Sequence, residues 1–324
     1  MRPDPAVAEC RRAVRAALSA LPGGPVVVAC SGGADSLALL AAATATGRSV
    51  TAVTVDHRLQ AGSAEQAARV LEQARALGAE GEVVAVTVGA AGGPEGAART
   101  VRYDALAAAA DRRGAVAVLL GHTLDDQAET VLLGLARGSG ARSLAGMARR
   151  SGRYLRPFLG ITRETTQKAC AAQGLQPWDD PHNSDPSYTR VRVRTAAIPA
   201  LTDALGPGVP EALARTAELL RADADALDVW AATARRAVTT DDGRIDLLSL
   251  AGEPAAIRTR VLRAALVDAG VPAGALTAAH VLSVDALVTS WKGQGGVALP
   301  GAFVAARRDA VLCITPEGRS GPGG

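Results

Sequence analysis

One stretch restricts the fold of this chain more than any other: Val26-Val27-Val28-Ala29-Cys30, then Ser31-Gly32-Gly33-Ala34-Asp35-Ser36, then Leu37-Ala38-Leu39-Leu40. A β-branched run stops at paired glycines and an Ala/Leu-rich helical pattern starts directly after it, which predicts strand, tight loop and helix N-terminus. That geometry gathers anions. Unpaired N–H groups and the positive end of the helix dipole point into the loop, and glycines without Cβ let phosphate oxygens approach the backbone. Ser31 and Ser36 add hydroxyls, and Asp35 is placed either to hold a metal or to cap the helix. The spaced glycines and terminal Lys-Ser/Thr of a Walker A loop are missing, as is the dinucleotide pattern Gly-x-Gly-x-x-Gly. A plain β–α turn with a Ser or Asp cap is the alternative reading of the hexapeptide taken alone.

Around this loop the pattern alternates. A helix over Ala6 to Leu21 precedes the first strand; helices at Leu37 to Thr46, Ser63 to Leu77 (Ser63 as N-cap), Glu95 to Arg113 and Asp125 to Ala136 follow, separated by strands at Ser49 to Val55, Val83 to Val88 and Val116 to Leu120. Strands alternating with amphipathic helices predict right-handed crossovers and a parallel sheet, with the ligand crevice at the strand C-termini. Gly138 to Arg153 reads as a mobile loop, Ile161 to Gln173 as helix, Pro177 to Tyr188 as irregular, and Arg190 to Leu205 as helix. A boundary is expected at Gly206-Pro207-Gly208, dividing residues 1–206 from a mostly helical part at 207–315. There, helices at Val209 to Thr239, Pro254 to Ala269 and Leu276 to Ser290 give way to short strands at 296–299, 302–306 and 310–314, and 316–324 reads as a disordered tail.

Composition sets the class. The chain has 324 residues, room for one large domain and a smaller one; at 48% apolar but 2% aromatic, its core must be built of Ala, Val and Leu. A net charge of +3 permits nucleic-acid binding without arguing for it. Cys10, Cys30, Cys170 and Cys313 lie far apart with no Cys-x-x-Cys pair, so neither a zinc knuckle nor a disulfide framework is indicated. Reduced thiols, no signal-peptide pattern in residues 1–20 and no stretch of roughly 20 apolar residues together predict a cytoplasmic protein with no membrane partner.

Further motifs sit where the strands end. Asp56 and His57 close the second strand, within reach of a nucleotide base or ribose. Arg99 and Arg102 are three apart and share a helical face, beside Tyr103. Gly121-His122-Thr123-Leu124-Asp125-Asp126-Gln127-Ala128-Glu129-Thr130 places Asp126 and Glu129 on one face, a pair suited to gripping an ammonium group or Mg²⁺. Arg137-Gly138-Ser139-Gly140 leads to Arg142, and Tyr188 is followed by Arg190, Arg192 and Arg194, a composition suited to phosphate contact and base stacking.

The Ser-Gly-Gly-x-Asp-Ser loop resembles that of the N-type ATP pyrophosphatases, the PP-loop enzymes. With Asp56-His57-Arg58-Leu59-Gln60, Ala98-Arg99-x-x-Arg102-Tyr103, the Gly121 to Thr130 motif, Arg156-Pro157-Phe158-Leu159 and the Asp180 to Arg190 segment, residues 25–195 resemble in collinear order the tRNA(Ile)-lysidine synthase family. The resemblance implies an α/β fold: a parallel-sheet, adenine nucleotide alpha hydrolase-like N-terminal domain with a smaller, mainly helical, tRNA-binding C-terminal domain. The resemblance is to the family's shorter members, without the longer members' extra C-terminal domain. It also implies a two-step ligation, in which ATP adenylates the C2 oxygen of the wobble cytidine of a tRNA(Ile) with a CAU anticodon and free L-lysine then displaces AMP.

The resemblance distributes the roles. Ser31, Gly32, Gly33, Ala34, Asp35 and Ser36, with Asp56, His57 and His122, hold ATP; Asp35 carries Mg²⁺; Asp126 and Glu129 hold lysine. Asp35, Ser36, Asp126, Glu129 and Arg102 form the catalytic set, and Arg99, Arg142, Tyr188, Arg190 and Arg194 contact tRNA. Monomer and homodimer both remain open. A two-thiocytidine thiolase would need clustered cysteines, an amidotransferase-type ligase such as GMP or NAD synthetase leaves the Asp-Asp-Gln-x-Glu-Thr motif unexplained, and a non-catalytic tRNA-binding protein would release no pyrophosphate.

Overall fold

Strand β1 (Val26–Ala29) is buried along its whole length, and the six-stranded sheet is laid out on either side of it. The computed structural model describes residues 3–56, 62–87, 94–138, 140–180 and 184–317. Two compact units divide the chain, Met1–Arg221 and Ala222–Gly324.

In the first unit, α1 (Pro5–Leu18) leads into β1, and α2 (Ala34–Thr44), β2 (Val50–Asp56), α3 (Ser63–Ala76), β3 (Glu80–Ala85), α4 (Pro94–Arg112), β4 (Ala117–Leu120) and α5 (Leu124–Ala136) follow. Then come α6 (Ala141–Leu144), β5 (Arg150–Ser151), β6 (Tyr154–Leu155), α7 (Arg163–Ala172), α8 (Thr189–Arg192), α9 (Ile198–Leu205) and α10 (Val209–Val238). The division between units falls within α10. The sheet order is β3-β2-β1-β4-β6-β5, parallel except for the β5–β6 pair. The chain therefore runs outward from β1 to β3, then returns to β4 on the other side of β1. That reversal opens a crevice beyond the C-terminal ends of β1 and β4, the place where ligands bind in open α/β sheets. Val14, Leu37, Leu40, Ala169 and Cys170 join one face of the sheet in one core, and Leu106, Ala109 and Ala110 of α4 join the other face in a second. Both cores are built of aliphatic residues almost throughout, as the composition requires.

Four local expectations change. Gly138 to Arg153 is not a featureless loop: it carries α6 and starts the β5–β6 hairpin, because the Gln127 side chain clamps Met147, accepting from its N–H at 2.8 Å and donating to its carbonyl at 3.1 Å. β3 begins at Glu80 rather than Val83. Gly81 belongs to the strand because a Cβ there would lie 2.5 Å from Leu71 Cδ2, so its missing side chain lets α3 pack down. The N-cap of α3 is Gly62, at φ 85°, and Ser63 is already helical. Arg190 to Leu205 is not one α-helix: a π-helical turn, Val193–Ala197, separates α8 from α9 where Pro199 enters the first turn of α9.

The second unit holds β7 (Ile245–Asp246), α11 (Leu247–Ala251), α12 (Ala255–Asp268), α13 (Ala278–Thr289), β8 (Val297–Leu299), β9 (Phe303–Arg308) and β10 (Val311–Pro316). Its four strands form an antiparallel sheet, β7-β10-β9-β8, over a core that includes Leu247, Ile257, Leu262, Leu266 and Val284. Pro316, expected in the tail, pairs with Phe303, and residues 318–324 lie outside the described residues. Among the described residues no helix is long and apolar enough to cross a membrane.

Candidate active site

Ser36, in the first turn of α2, organises the glycine loop. Its Oγ accepts from the N–H groups of Ser31 and Gly32, both at 3.2 Å, and donates to the Gly33 carbonyl at 2.9 Å. Gly32 adopts φ 88°, and a Cβ there would lie 2.6 Å from Gln66 Nε2 and 2.8 Å from Val70 Cγ2. Its carbonyl accepts from the Trp178 N–H at 2.9 Å, which draws the Pro177–Asp180 segment over the loop. Gly33 is the N-cap of α2 and brings no side chain to it, so the dipole end stays open to the crevice and Asp35 does not cap the helix.

Asp35 lies instead against α7. It accepts from Thr166 Oγ1 and faces Arg163 Nε at 3.5 Å. Burial raises its pKa above the usual carboxylate value; the Thr166 hydrogen bond and the Arg163 charge oppose that shift. Gly121, at the end of β4, lets α2 approach, since a Cβ there would lie 3.2 Å from the Asp35 and Ser36 backbone.

The acidic helix start of α5 stands across the crevice. Thr123 is its N-cap and forms a reciprocal box with Asp126, whose Oδ2 accepts from the Thr123 N–H at 2.8 Å. Capping and charge display thus use the same residue. Arg163 Nη2 donates to Asp126 Oδ1 at 3.0 Å and its Nη1 lies 3.7 Å from Glu129 Oε1, while the Arg163 N–H donates to Asp125 Oδ2 at 2.7 Å. Arg194, on the π-helical turn, grips Glu129 with both arms of its guanidinium: Nε donates to Oε1 at 2.7 Å and Nη2 to Oε2 at 3.2 Å. Glu129 is fully buried, and a buried carboxylate without such partners would cost several kcal/mol. The cation that compensates the acidic pair is therefore already in the chain.

One cavity of about 680 Å³ collects these groups: Ser31, Gly33, Ala34, Asp35 and Ser36 on the loop side, with Arg102, His122, Asp126, Arg163 and Arg194 opposite. Cys170 also lines it; its Sγ donates to the Ala34 carbonyl at 3.3 Å, and burial pushes its thiol up to about 12, so it stays protonated. A smaller cavity of about 240 Å³ shares Arg102 and His122 with the first and adds Arg99, Tyr103, Leu120 and Arg190. Burial, with the Arg156, Arg102 and Arg99 charges, lowers the His122 pKa to about 4 against the pull of Asp126, so its imidazole is neutral.

Several expected site residues lie elsewhere. Glu129 stands behind Asp126 and does not line the cavity, and Gly32 faces α3. Arg194, expected on tRNA, is held inside the crevice by Glu129. Arg142 is exposed on α6, Tyr188 is exposed as the N-cap of α8, and Asp56 ends β2. His57 lies outside the described residues. Arg163 and Thr166 carry no sequence expectation, and Trp178 stands out in the sequence only as part of Trp178-Asp179-Asp180, with no role. Arg163 did leave a signal: a cation in the first turn of a helix opposes the dipole and calls for nearby anions. Among the described residues no group of three or more His, Cys, Asp or Glu could hold a metal ion.

Known proteins match the chain over most of its length. Residues 8–201 match the model of the PP-loop domain, and residues 246–312 match that of the TilS substrate binding domain. The chain is 58% identical over 321 residues to the tRNA(Ile)-lysidine synthase of Thermobifida fusca (strain YX), covering 97% of this chain and 99% of that protein. It is 57% identical over 303 residues to the enzyme of the same name from Streptomyces coelicolor (strain ATCC BAA-471 / A3(2) / M145), covering 91% and 86%. Among solved structures, the U34-tRNA thiolase NcsA from Methanococcus maripaludis, with its [4Fe-4S] cluster, shares the fold: TM-score 0.56 and 20% identity, covering 67% of this chain and 80% of that one.

Proposed function

The chain belongs to the tRNA(Ile)-lysidine synthase family, and from that premise we propose how its crevice carries out the two-step ligation. The enzyme is an ATP-dependent ligase that joins L-lysine to C2 of the wobble cytidine of a tRNA(Ile) with a CAU anticodon. In the first step the cytidine O2 attacks the α-phosphate of ATP, the bond to pyrophosphate breaks, and an adenylated cytidine forms. In the second the lysine side-chain amine attacks C2, the C–O bond breaks, and AMP leaves. One observation carries the assignment of roles: the Ser31–Ser36 loop and Asp126 line the same cavity.

The open helix end at Gly33 and the Ser31 hydroxyl receive the β- and γ-phosphates, where preorganised donors stabilise the charge that builds on the leaving group. Asp35 suits Mg²⁺, because this ion is commonly bound by one or two carboxylates together with nucleotide phosphates and does not need a full protein cage. When bound it would neutralise phosphate charge. Arg102, half-buried beside His122 at the wall common to both cavities, is placed for the α-phosphate. Asp126, the member of the acidic pair that reaches the cavity, receives an ammonium group of lysine, with Glu129 and Arg194 fixing it from behind. Arg99 and Arg190 face the tRNA at the smaller cavity, and Arg142 and Tyr188 extend that contact outside it. We infer a cytoplasmic reaction, where tRNA, ATP and free lysine occur together.

Incubating the protein with the tRNA, lysine and ATP, then analysing the anticodon nucleosides by mass spectrometry, tests the assignment. Lysidine at the wobble position is the expected product; no pyrophosphate release with all three substrates present would overturn it.

A further inference from the structure

The ammonium seat at Asp126 is occupied by the protein itself. Oδ2 accepts from the Thr123 N–H at 2.8 Å and from the Thr123 hydroxyl at 3.1 Å, while Oδ1 accepts from Arg163 Nη2 at 3.0 Å and is faced by Arg194 Nη2 at 3.7 Å. Thr123 is wholly buried in the helix cap, so Oδ2 cannot be released without unmaking the start of α5. An incoming ammonium group must therefore compete for Oδ1. Charge leads to the same place. Asp126 and Glu129 carry two negative charges, and Arg163 and Arg194, each within 4 Å of both, carry two positive ones. The four side chains are neutral as a set and exert no net pull on a cation. With Arg163 withdrawn, one negative charge is left, which a single ammonium group balances.

The two guanidiniums are not held equally. Arg194 is bound to Glu129 through two nitrogens, at 2.7 and 3.2 Å. Among the described residues the Arg163 guanidinium makes one hydrogen bond, to Asp126; its contacts with Glu129 at 3.7 Å and Asp35 at 3.5 Å are ion pairs at longer range. The main chain of Arg163 is fixed in the first turn of α7, its N–H on Asp125 Oδ2 at 2.7 Å, so the side chain can turn about its own torsions while the helix stays in place. It lines the same cavity as Ser31, Gly33 and Asp35, and its Nε already points its charge at Asp35, in the first turn behind the open end of α2. Arg163 is thus the cation that can leave.

We propose that Arg163 is an exchangeable counter-ion: it closes the ammonium seat at Asp126 and surrenders it by turning onto the phosphates of ATP at the Ser31–Ser36 loop. A guanidinium fork matches phosphate oxygens in pairs, and a polyphosphate offers more negative charge than the single carboxylate oxygen that Arg163 gives up. The seat then opens in the protein that holds nucleotide, so lysine enters after ATP. One side chain sets the order of the two substrates. The inference rests on the ligase reading above, with lysine at Asp126, and adds the residue that couples the two halves of the crevice.

Calorimetric titration of L-lysine into the full chain, with and without saturating Mg-ATP and with no tRNA present, reads the exchange while no ligation occurs. In the wild type, ATP should tighten lysine binding about 5- to 150-fold, the usual span of coupling between two sites, and lysine should tighten ATP binding by the same factor. Arg163→Gln should bind lysine more tightly than the wild type when ATP is absent, and adding ATP should then change its lysine affinity less than about two-fold. Arg163→Lys, which keeps the charge without the fork, should retain part of the coupling. Thermal melts check that the variants fold. Plain attraction between the charges of ATP and lysine would survive the loss of Arg163, so an undiminished ATP effect in Arg163→Gln overturns the proposal, as does weaker ATP-free lysine binding in that variant. A wild type whose lysine affinity is indifferent to ATP overturns it as well, an outcome readable even if the variants fail to fold. A wild type that binds lysine neither alone nor with ATP would instead overturn the lysine seat of the ligase reading.

Discussion

The two adjacent glycines of the loop should respond very differently to a methyl group. Gly32 sits at φ 88°, where an alanine costs roughly 1–2 kcal/mol in backbone energy alone. The new Cβ would also lie 2.6 Å from Gln66 Nε2 and 2.8 Å from Val70 Cγ2. Gln66 presents the end of a flexible side chain and can swing aside. Val70 is β-branched and wholly buried, so its contact supplies the steric part, on the order of 1–3 kcal/mol. Gly32→Ala should therefore lose about 2–5 kcal/mol in total, divided between urea stability and ATP affinity according to whether α3 or the loop gives way. Val70→Ala in the Gly32→Ala background, compared with Val70→Ala alone, should return the steric part and leave the backbone part. Gly33 is not in the left-handed region, and its Cβ would meet Ser31 Oγ at 3.8 Å, an ordinary contact. Gly33→Ala should change the unfolding free energy by less than about 0.5 kcal/mol. Denaturant melts and calorimetric ATP titrations on the four variants decide the matter. A combined loss under about 1 kcal/mol for Gly32→Ala, or equal losses at both glycines, would refute the reasoning.

Glu129→Ala removes the partner of Arg194 and the charge behind Asp126, so the adenylated tRNA should accumulate and the KM for lysine should rise at least about tenfold; unchanged lysine dependence would detach this pair from the second step. Asp35→Asn should abolish adenylation yet stabilise the free protein at neutral pH. Burial raises the folded pKa of Asp35, so the wild type loses stability as pH climbs from the unfolded value of 3.8 through the raised one, and asparagine does not. The urea-midpoint gap should widen as pH rises above 3.8, and a gap that widens toward acid would be the wrong sign. In the second unit, Asp285 accepts from Arg258 at 2.9 and 3.0 Å with both side chains nearly buried, and Asp285→Ala should cost about 3–5 kcal/mol by leaving that guanidinium unpaired. Thermal melts report it; a loss below 1 kcal/mol would show that water reaches the pair.

What the residues disclosed in advance was local. The strand, the glycine turn and the helix start at Ser31–Ser36 are consecutive, and their chemistry follows from neighbours in the chain. Thr123 through Glu129 is legible for the same reason, including the shared helical face. Burial on that face was not, because it depends on Arg163 and Arg194, distant in sequence and brought in by α7 and the π-helical turn. Asp126 and Glu129 therefore looked equivalent although only one reaches the cavity. β3 was displaced because Glu80-Gly81-Glu82 reads as a turn. As an edge strand it instead tolerates the carboxylates, which pair with Arg112 and Arg113, and uses the glycine for packing. The hairpin after α6 depends on the Gln127 clamp at Met147, a contact no periodicity announces.

Because the Ser36 hydroxyl converges three backbone groups on one oxygen, the loop is templated before any nucleotide arrives. Freezing a backbone residue takes roughly 1–2 kcal/mol, and here that entropy is surrendered once, when the chain folds, instead of at every catalytic cycle. A mobile loop would have to give it up again with each ATP molecule bound.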